Sequence, residues 1–139
     1  ELFKVPFIGP HLTKAGHISV PLEDWRAAIK VLGSVGATLK EKGQSVLIFP
    51  EGGRSENGQL QEFKDGAAYL AIKGQVKILP AAIVGIYDVL PMHSGHMRPG
   101  RVTLRVGDPL DVSGLKSSDR AELTERLRQT ILALYALGR

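Results

Sequence analysis

Apolar residues recur in two different rhythms along this chain, and the switches between them predict the order of its elements. His17-Ile18-Ser19-Val20 has the two-residue alternation of a short strand. From Leu22 onward the spacing becomes helical, with Trp25, Ala28, Ile29, Leu32, Val35, Gly36 and Leu39 on one stripe, and Gly43 stands where a left-handed residue closes a helix. Ser45-Val46-Leu47-Ile48-Phe49 is a continuous apolar run, expected of a strand covered on both faces, and Pro50 ends it. Glu51 to Gly58 reads as a glycine-rich turn, Gly66 to Lys73 as a second short helix before Gly74, and Lys77 to Val84 as another buried strand.

Tyr87 to Pro99 is expected to be a long loop, broken by Pro91, Gly95 and Pro99. Arg101 to Val106 alternates charged and apolar residues and predicts a partly exposed edge strand. A last helix begins near Asp119, with Glu122 three residues on as capping partner. Its stripe of Leu123, Leu127, Ile131 and Leu134 is expected to dock on the sheet rather than lie on a membrane. Strand, helix, strand, helix, strand in this order predicts an α/β fold: a mainly parallel sheet, right-handed crossovers and flanking helices. No repeat, linker or low-complexity tract divides the chain, so residues 1–139 are read as one domain.

Composition narrows the chemistry. At 43% hydrophobic and 23% charged the chain is an ordinary globular protein, which excludes disordered and collagen-like classes. The absence of cysteine excludes a disulfide framework, a thiolate metal site and a cysteine nucleophile. The longest uncharged runs, Ile78 to Tyr87 and Gln129 to Gly138, are far short of the ~20 residues of a membrane-spanning helix. A net charge of +4 and a pI near 9.5 favour anionic partners: phosphorylated metabolites, an anionic membrane face or nucleic acid. Arg98, Arg101 and Arg105 form a basic cluster that could meet phosphates, but no aromatics interleave with them, so nucleic acid is not expected.

The richest segment is Phe49-Pro50-Glu51-Gly52-Gly53-Arg54-Ser55. In an open parallel sheet, ligands sit beyond the carboxyl ends of the strands, where this turn is expected. Gly52 and Gly53 let backbone N–H groups approach a ligand, Arg54 offers a planar fork for phosphate, and Ser55 adds a hydroxyl. Glu51 either orients a polar substrate or holds Arg54. Lys64, just before the second helix, could add to an anion site at that helix's positive end. The same residues would also serve a plain tight turn with a surface arginine. No phosphate-binding loop of the Gly-x-x-x-x-Gly-Lys-Ser/Thr type and no Gly-x-Gly-x-x-Gly turn is present. His93 and His96 have a spacing that could hold a metal, yet lie in a loop beside Met92 and Met97, so no metal site is expected.

These residues resemble the glycerolipid acyltransferases related to bacterial 1-acyl-glycerol-3-phosphate acyltransferase. Glu1-Leu2-Phe3-Lys4-Val5-Pro6-Phe7-Ile8-Gly9 is similar to the family's Lys-x-Glu-Leu-x-x-x-Pro-x-x-Gly lead-in without its first Lys. Phe49 to Ser55 is similar to its Phe-Pro-Glu-Gly-Thr-Arg-Ser block, with Gly53 in place of Thr. Phe63-Lys64-Asp65-Gly66 matches Phe-Lys-x-Gly, and Leu79-Pro80-Ala81-Ala82-Ile83-Val84-Gly85 matches an apolar Val-Pro-Val-x-Ile-x-Gly strand. The resemblance implies a glycerol-3-phosphate acyltransferase-like fold, incomplete at its N-terminus. It implies transfer of a fatty acyl group from a coenzyme A or acyl carrier protein thioester to a lysophosphatidate-type acceptor in phospholipid synthesis. Glu51, Gly52, Gly53, Arg54, Ser55 and Lys64 would bind that acceptor, and no cofactor or metal is implied.

Two departures bear on activity. Where the family continues from Gly16-His17-Ile18 through Phe-Ile-Asp-Arg, this chain has Ser19, Val20, Pro21 and Leu22, so Arg54 and Lys64 are left more of the phosphate. The family's His-x-x-x-x-Asp motif, whose His is the general base, is absent: the residues five after His11, His17, His93 and His96 are Gly16, Leu22, Arg98 and Arg101. In the family that motif precedes the lead-in, and this chain opens at Glu1 with no leader. The expectation is therefore a domain without its N-terminal catalytic segment, with no catalytic residue of its own, and inactive or nearly so because a general base contributes typically 10²–10⁴-fold. A non-catalytic phospholipid- or anion-binding module is the alternative. The membrane surface is an expected partner, met at its cytoplasmic face peripherally or through an anchoring segment not present here.

Overall fold

The computed structural model describes residues 2–21 and 24–137. A 3₁₀ turn, Leu2–Lys4, and a short helix α1, Ile8–Lys14, come first. Pro10 is tolerated in α1 because it falls in the first turn, where a backbone N–H has no helical acceptor. Helix α2, Trp25–Lys42, begins where the Asp24 carboxylate accepts the N–H groups of Arg26 and Ala27 at 3.0 and 3.1 Å. It ends at Gly43, whose φ of 58° and N–H bond to Leu39 O form the expected left-handed close. The expected start of the apolar stripe at Leu22 lies outside the described residues.

Helix α2 buries Ala28, Leu32, Gly36 and Leu39 against helix α3, Gly66–Gly74. The crossing is close because two glycines meet. A Cβ on Gly74 would lie 2.7 Å from Gly36 O, and one on Gly36 would lie 3.0 Å from Leu70 O.

Strand β1, Ala81–Val84, pairs antiparallel with β2, Thr103–Val106, in a register that sets Ala81 opposite Val106 and Ile83 opposite Leu104. A bridge between Ile78 and Leu110 extends this ladder. A four-residue helix α4, Ile86–Val89, opens the connection between the strands. The last helix, α5, is Arg120–Ala136. Its Leu123, Leu127 and Ile131 are buried as expected, Leu123 with Ala68, Ala71, Ile72 and Val112, the other two with Ala82 and Leu110. The expected capping pair does not form. Instead the Asp119 carboxylate accepts from the Lys116 N–H at 2.7 Å and the Ser118 hydroxyl at 2.8 Å, holding the 3₁₀ turn before the helix.

The α/β class holds, but the mainly parallel sheet does not appear: the described residues form one two-stranded antiparallel sheet. The reason is a missing neighbour. Ser45 to Phe49 has no ladder partner among the described residues, and neither has His17 to Val20. Val46 and Ile48 pack on Leu32, Leu39 and Leu70, while Leu47 and Phe49 are 81% and 63% exposed, so this run is covered on one face only. The β1–β2 pair is similarly one-sided. Ala82 is buried toward α5, whereas Ile83, Leu104 and Val106 on the other face are exposed. No helix among the described residues is long and apolar enough to cross a membrane.

Candidate functional site: a stapled glycine-rich loop

The loop after Phe49 is closed at its base by two backbone bonds, Gly52 N–H to Phe49 O at 3.1 Å and Lys64 N–H to Pro50 O at 2.9 Å. Between them the Glu51 carboxylate accepts the Gln61 N–H at 2.9 Å, and the Gln61 side-chain amide reaches Arg54 O at 3.4 Å. Glu51 is thus a loop staple, ten residues across, and its carboxylate is half-buried. A second turn forms where Asn57 Oδ1 accepts the Gln59 N–H at 3.0 Å and the Ser55 hydroxyl at 3.1 Å.

The two glycines differ in role. Gly52 has φ 74°, and a Cβ there would meet Lys64 Cε at 3.0 Å and Nζ at 3.1 Å. The Lys64 ammonium therefore lies against Gly52, which joins two expected site residues separated by twelve positions. Gly53 has no such constraint: a Cβ would meet nothing within 4 Å. That explains how this position accommodates either the glycine here or the threonine of the block it resembles.

Arg54 is exposed and donates from Nη2 to Leu90 O at 3.1 Å. The segment after β1 braces the loop from the same side. Tyr87 donates its hydroxyl to Glu56 O at 2.9 Å, His93 Nε2 lies 3.2 Å from Glu56 Oε2, and the Tyr87 ring would be 2.7 Å from a Cβ on Gly58. His93 thus faces a carboxylate, and the described residues contain no group of three or more His, Asp or Glu suited to a metal. Asp65 turns away from the loop: its carboxylate meets the Thr124 hydroxyl at 2.9 Å and Arg120 Nε at 3.4 Å, tying the start of α3 to α5.

The structure therefore brings Glu51, Gly52, Arg54, Ser55 and Lys64 into one braced loop, with Gly53 at its open side. Gly53 and Arg54 are exposed on it, whereas Glu51, Gly52 and Ser55 are half-buried. Two hollows, of about 310 and 440 Å³, lie elsewhere, one beside Phe63 and Thr124 and one between α2 and residues 15–18. The braces Gln61, Tyr87 and Leu90 were not foreseen. Only Asn57-Gly58, a turn dipeptide, carried a local signal.

An exposed arginine on this glycine turn and a lysine against Gly52, set on an α/β scaffold, make up the segment that resembles the acyltransferase block. The chain belongs to the Acyltransferase family, whose sequence model matches residues 1–84. Over 121 residues it is 34% identical to 1-acyl-sn-glycerol-3-phosphate acyltransferase alpha of Ovis aries and 32% identical to the Homo sapiens protein of that name, covering 87% of this chain each time. The crystal structure of the 1-acyl-sn-glycerophosphate (LPA) acyltransferase PlsC from Thermotoga maritima is similar with a TM-score of 0.73 at 27% identity, covering 99% of this chain and 55% of that one. The chain spans 42% and 43% of the two mammalian relatives.

Proposed function

We propose that this chain is the acceptor-holding part of an enzyme that acylates a lysophosphatidate-type glycerol phosphate in phospholipid synthesis. In that reaction the acceptor hydroxyl oxygen attacks the thioester carbonyl of acyl-CoA or acyl-acyl carrier protein. The C–S bond breaks, and the proton lost from the hydroxyl ends on the leaving thiol. The donor is already activated as a thioester, so the chemistry calls for no cofactor or metal.

Arg54 and Lys64 hold the acceptor phosphate, with the Gly53 N–H as a further donor, while the Gly52 N–H on Phe49 O and the Ser55 hydroxyl on Asn57 Oδ1 shape the turn around it. Glu51 keeps the loop closed around them. The observation that carries this reading is the Lys64 ammonium lying over Gly52, in the same stapled loop as Arg54. Because no His here is followed at the family spacing by Asp, the chain alone binds the acceptor without turning it over. It works at the cytoplasmic face of a membrane, where its substrates reside.

Calorimetric titration with glycerol 3-phosphate tests the loop. Arg54→Ala and Lys64→Ala should each weaken binding about tenfold or more, since a hydrogen bond to a charged group is worth about 1.5–3 kcal/mol. Equal affinity in wild type and both variants would overturn the assignment. Incubation with acyl-CoA and lysophosphatidate separates the two roles: binding without product is the expected result, and normal turnover would refute the missing base. Failure of the missing motif to appear anywhere in the natural polypeptide would favour the non-catalytic binding module.

A further inference from the structure

The connection from β1 to β2, residues 85–102, braces the acceptor loop and also carries exposed residues that the proposed reaction leaves unused. Met97 is 79% exposed, and Ile86 and Val102 are each nearly half exposed. Arg98 and Arg101, both exposed, stand among them. The connection has a defined shape. The Arg98 N–H bonds Val89 O at 2.8 Å, the Ser94 N–H bonds Pro91 O at 3.3 Å, and a Cβ on Gly100 would lie 2.8 Å from Val89. At its base, Gly85 lies so close to Arg101 O that no side chain fits. The acidic groups on this side are Asp88, which is exposed, and Glu56, which faces His93.

We propose that this connection is the surface by which the protein docks on an anionic lipid bilayer, Met97 entering the interface while Arg98 and Arg101 meet lipid phosphates. This rests on the proposed function and adds the place where the membrane is met. Exposed apolar side chains with two exposed arginines in the same short connection suit an interface that is apolar inside and negatively charged at its surface. A shape already closed by its own backbone bonds loses little freedom on docking. The position is also apt: Arg54 bonds Leu90 O within this connection, so a docked connection would bring the acceptor loop near the lipid surface. The apolar face of Ile83, Leu104 and Val106 carries no charge and lacks that complementarity.

Flotation of the 139-residue chain with vesicles tests the proposal. The chain should bind vesicles of phosphatidylcholine containing phosphatidylglycerol, bind phosphatidylcholine alone weakly, and lose binding in high salt. Each arginine near the surface contributes about fivefold, so the double variant Arg98→Ala, Arg101→Ala should bind about 30-fold more weakly. Met97→Gln should lose several-fold, and Leu104→Gln on the sheet face should behave as wild type. Unchanged vesicle binding in the loop variants, or a loss confined to Leu104→Gln, overturns the proposal. So does loss of self-association in the loop variants, which would make the surface a contact between copies. Titration with glycerol 3-phosphate separates this from the acceptor site. The double variant should bind it normally, and a variant that loses both interactions would place these arginines in the acceptor site instead.

Discussion

Gly52 and Gly53 are neighbours in sequence, yet replacing each with alanine should have opposite effects. At Gly52 the φ of 74° places an alanine in the left-handed region, which costs about 1–2 kcal/mol. The stiffer unfolded chain returns about 0.4–1 kcal/mol, so the net loss is about 1 kcal/mol. The new Cβ would also stand 3.0 Å from Lys64 Cε, close enough to push that side chain aside. A flexible lysine moves cheaply, so this second effect is felt in anion binding rather than in stability. At Gly53 no atom lies within 4 Å and the backbone is outside the left-handed region. Gly53→Ala should therefore gain about 0.4–1 kcal/mol and bind glycerol 3-phosphate as before. Urea denaturation followed by far-ultraviolet circular dichroism should show midpoints moving in opposite directions at an unchanged slope. A Gly53→Ala loss as large as that of Gly52→Ala would refute the reasoning.

Three further outcomes follow from packing and charge. Gly74→Ala should destabilise by about 1–3 kcal/mol in the same denaturation assay, because its Cβ would meet the rigid Gly36 carbonyl and force α2 and α3 apart. Leu127→Ala, at a site 3% exposed between Ala82, Leu110 and Ile131, should cost about 2–5 kcal/mol. Asp111 and Asp119 are held below the ordinary aspartate value, the first chiefly by the Ser113 hydroxyl and the second chiefly by the Lys116 N–H. Each depressed carboxyl adds stability that is present above the unfolded value of about 3.9 and is lost as pH falls through the lower folded value. The urea midpoint of Asp119→Asn should accordingly fall less steeply in acid than that of wild type.

Helices α2, α3 and α5 were legible in the chain because helical periodicity is local: every bond that makes them joins residues four apart. Gly43 closes α2 for the same reason. The glycine-rich loop was legible as a list of residue types, since glycines, an arginine and a lysine beside a strand-like run already suggest phosphate chemistry. Its construction was not. That Glu51 would staple Gln61, and that Tyr87 and Leu90 would brace the turn, depends on segments ten to thirty-six residues apart coming together.

The sheet shows the same limit. An apolar run such as Ser45 to Phe49 announces that it can be a strand, but a ladder needs a second backbone at hydrogen-bonding distance, and none of the described residues provides one. β1 and β2 became a sheet because residues 85–102 return the chain beside itself. Composition and periodicity thus determined what each segment could form. Which segments met, and hence that Lys64 lies against Gly52 and which apolar faces stay open, was decided only by tertiary packing, because those energies exist only between parts of the chain that the fold brings into contact.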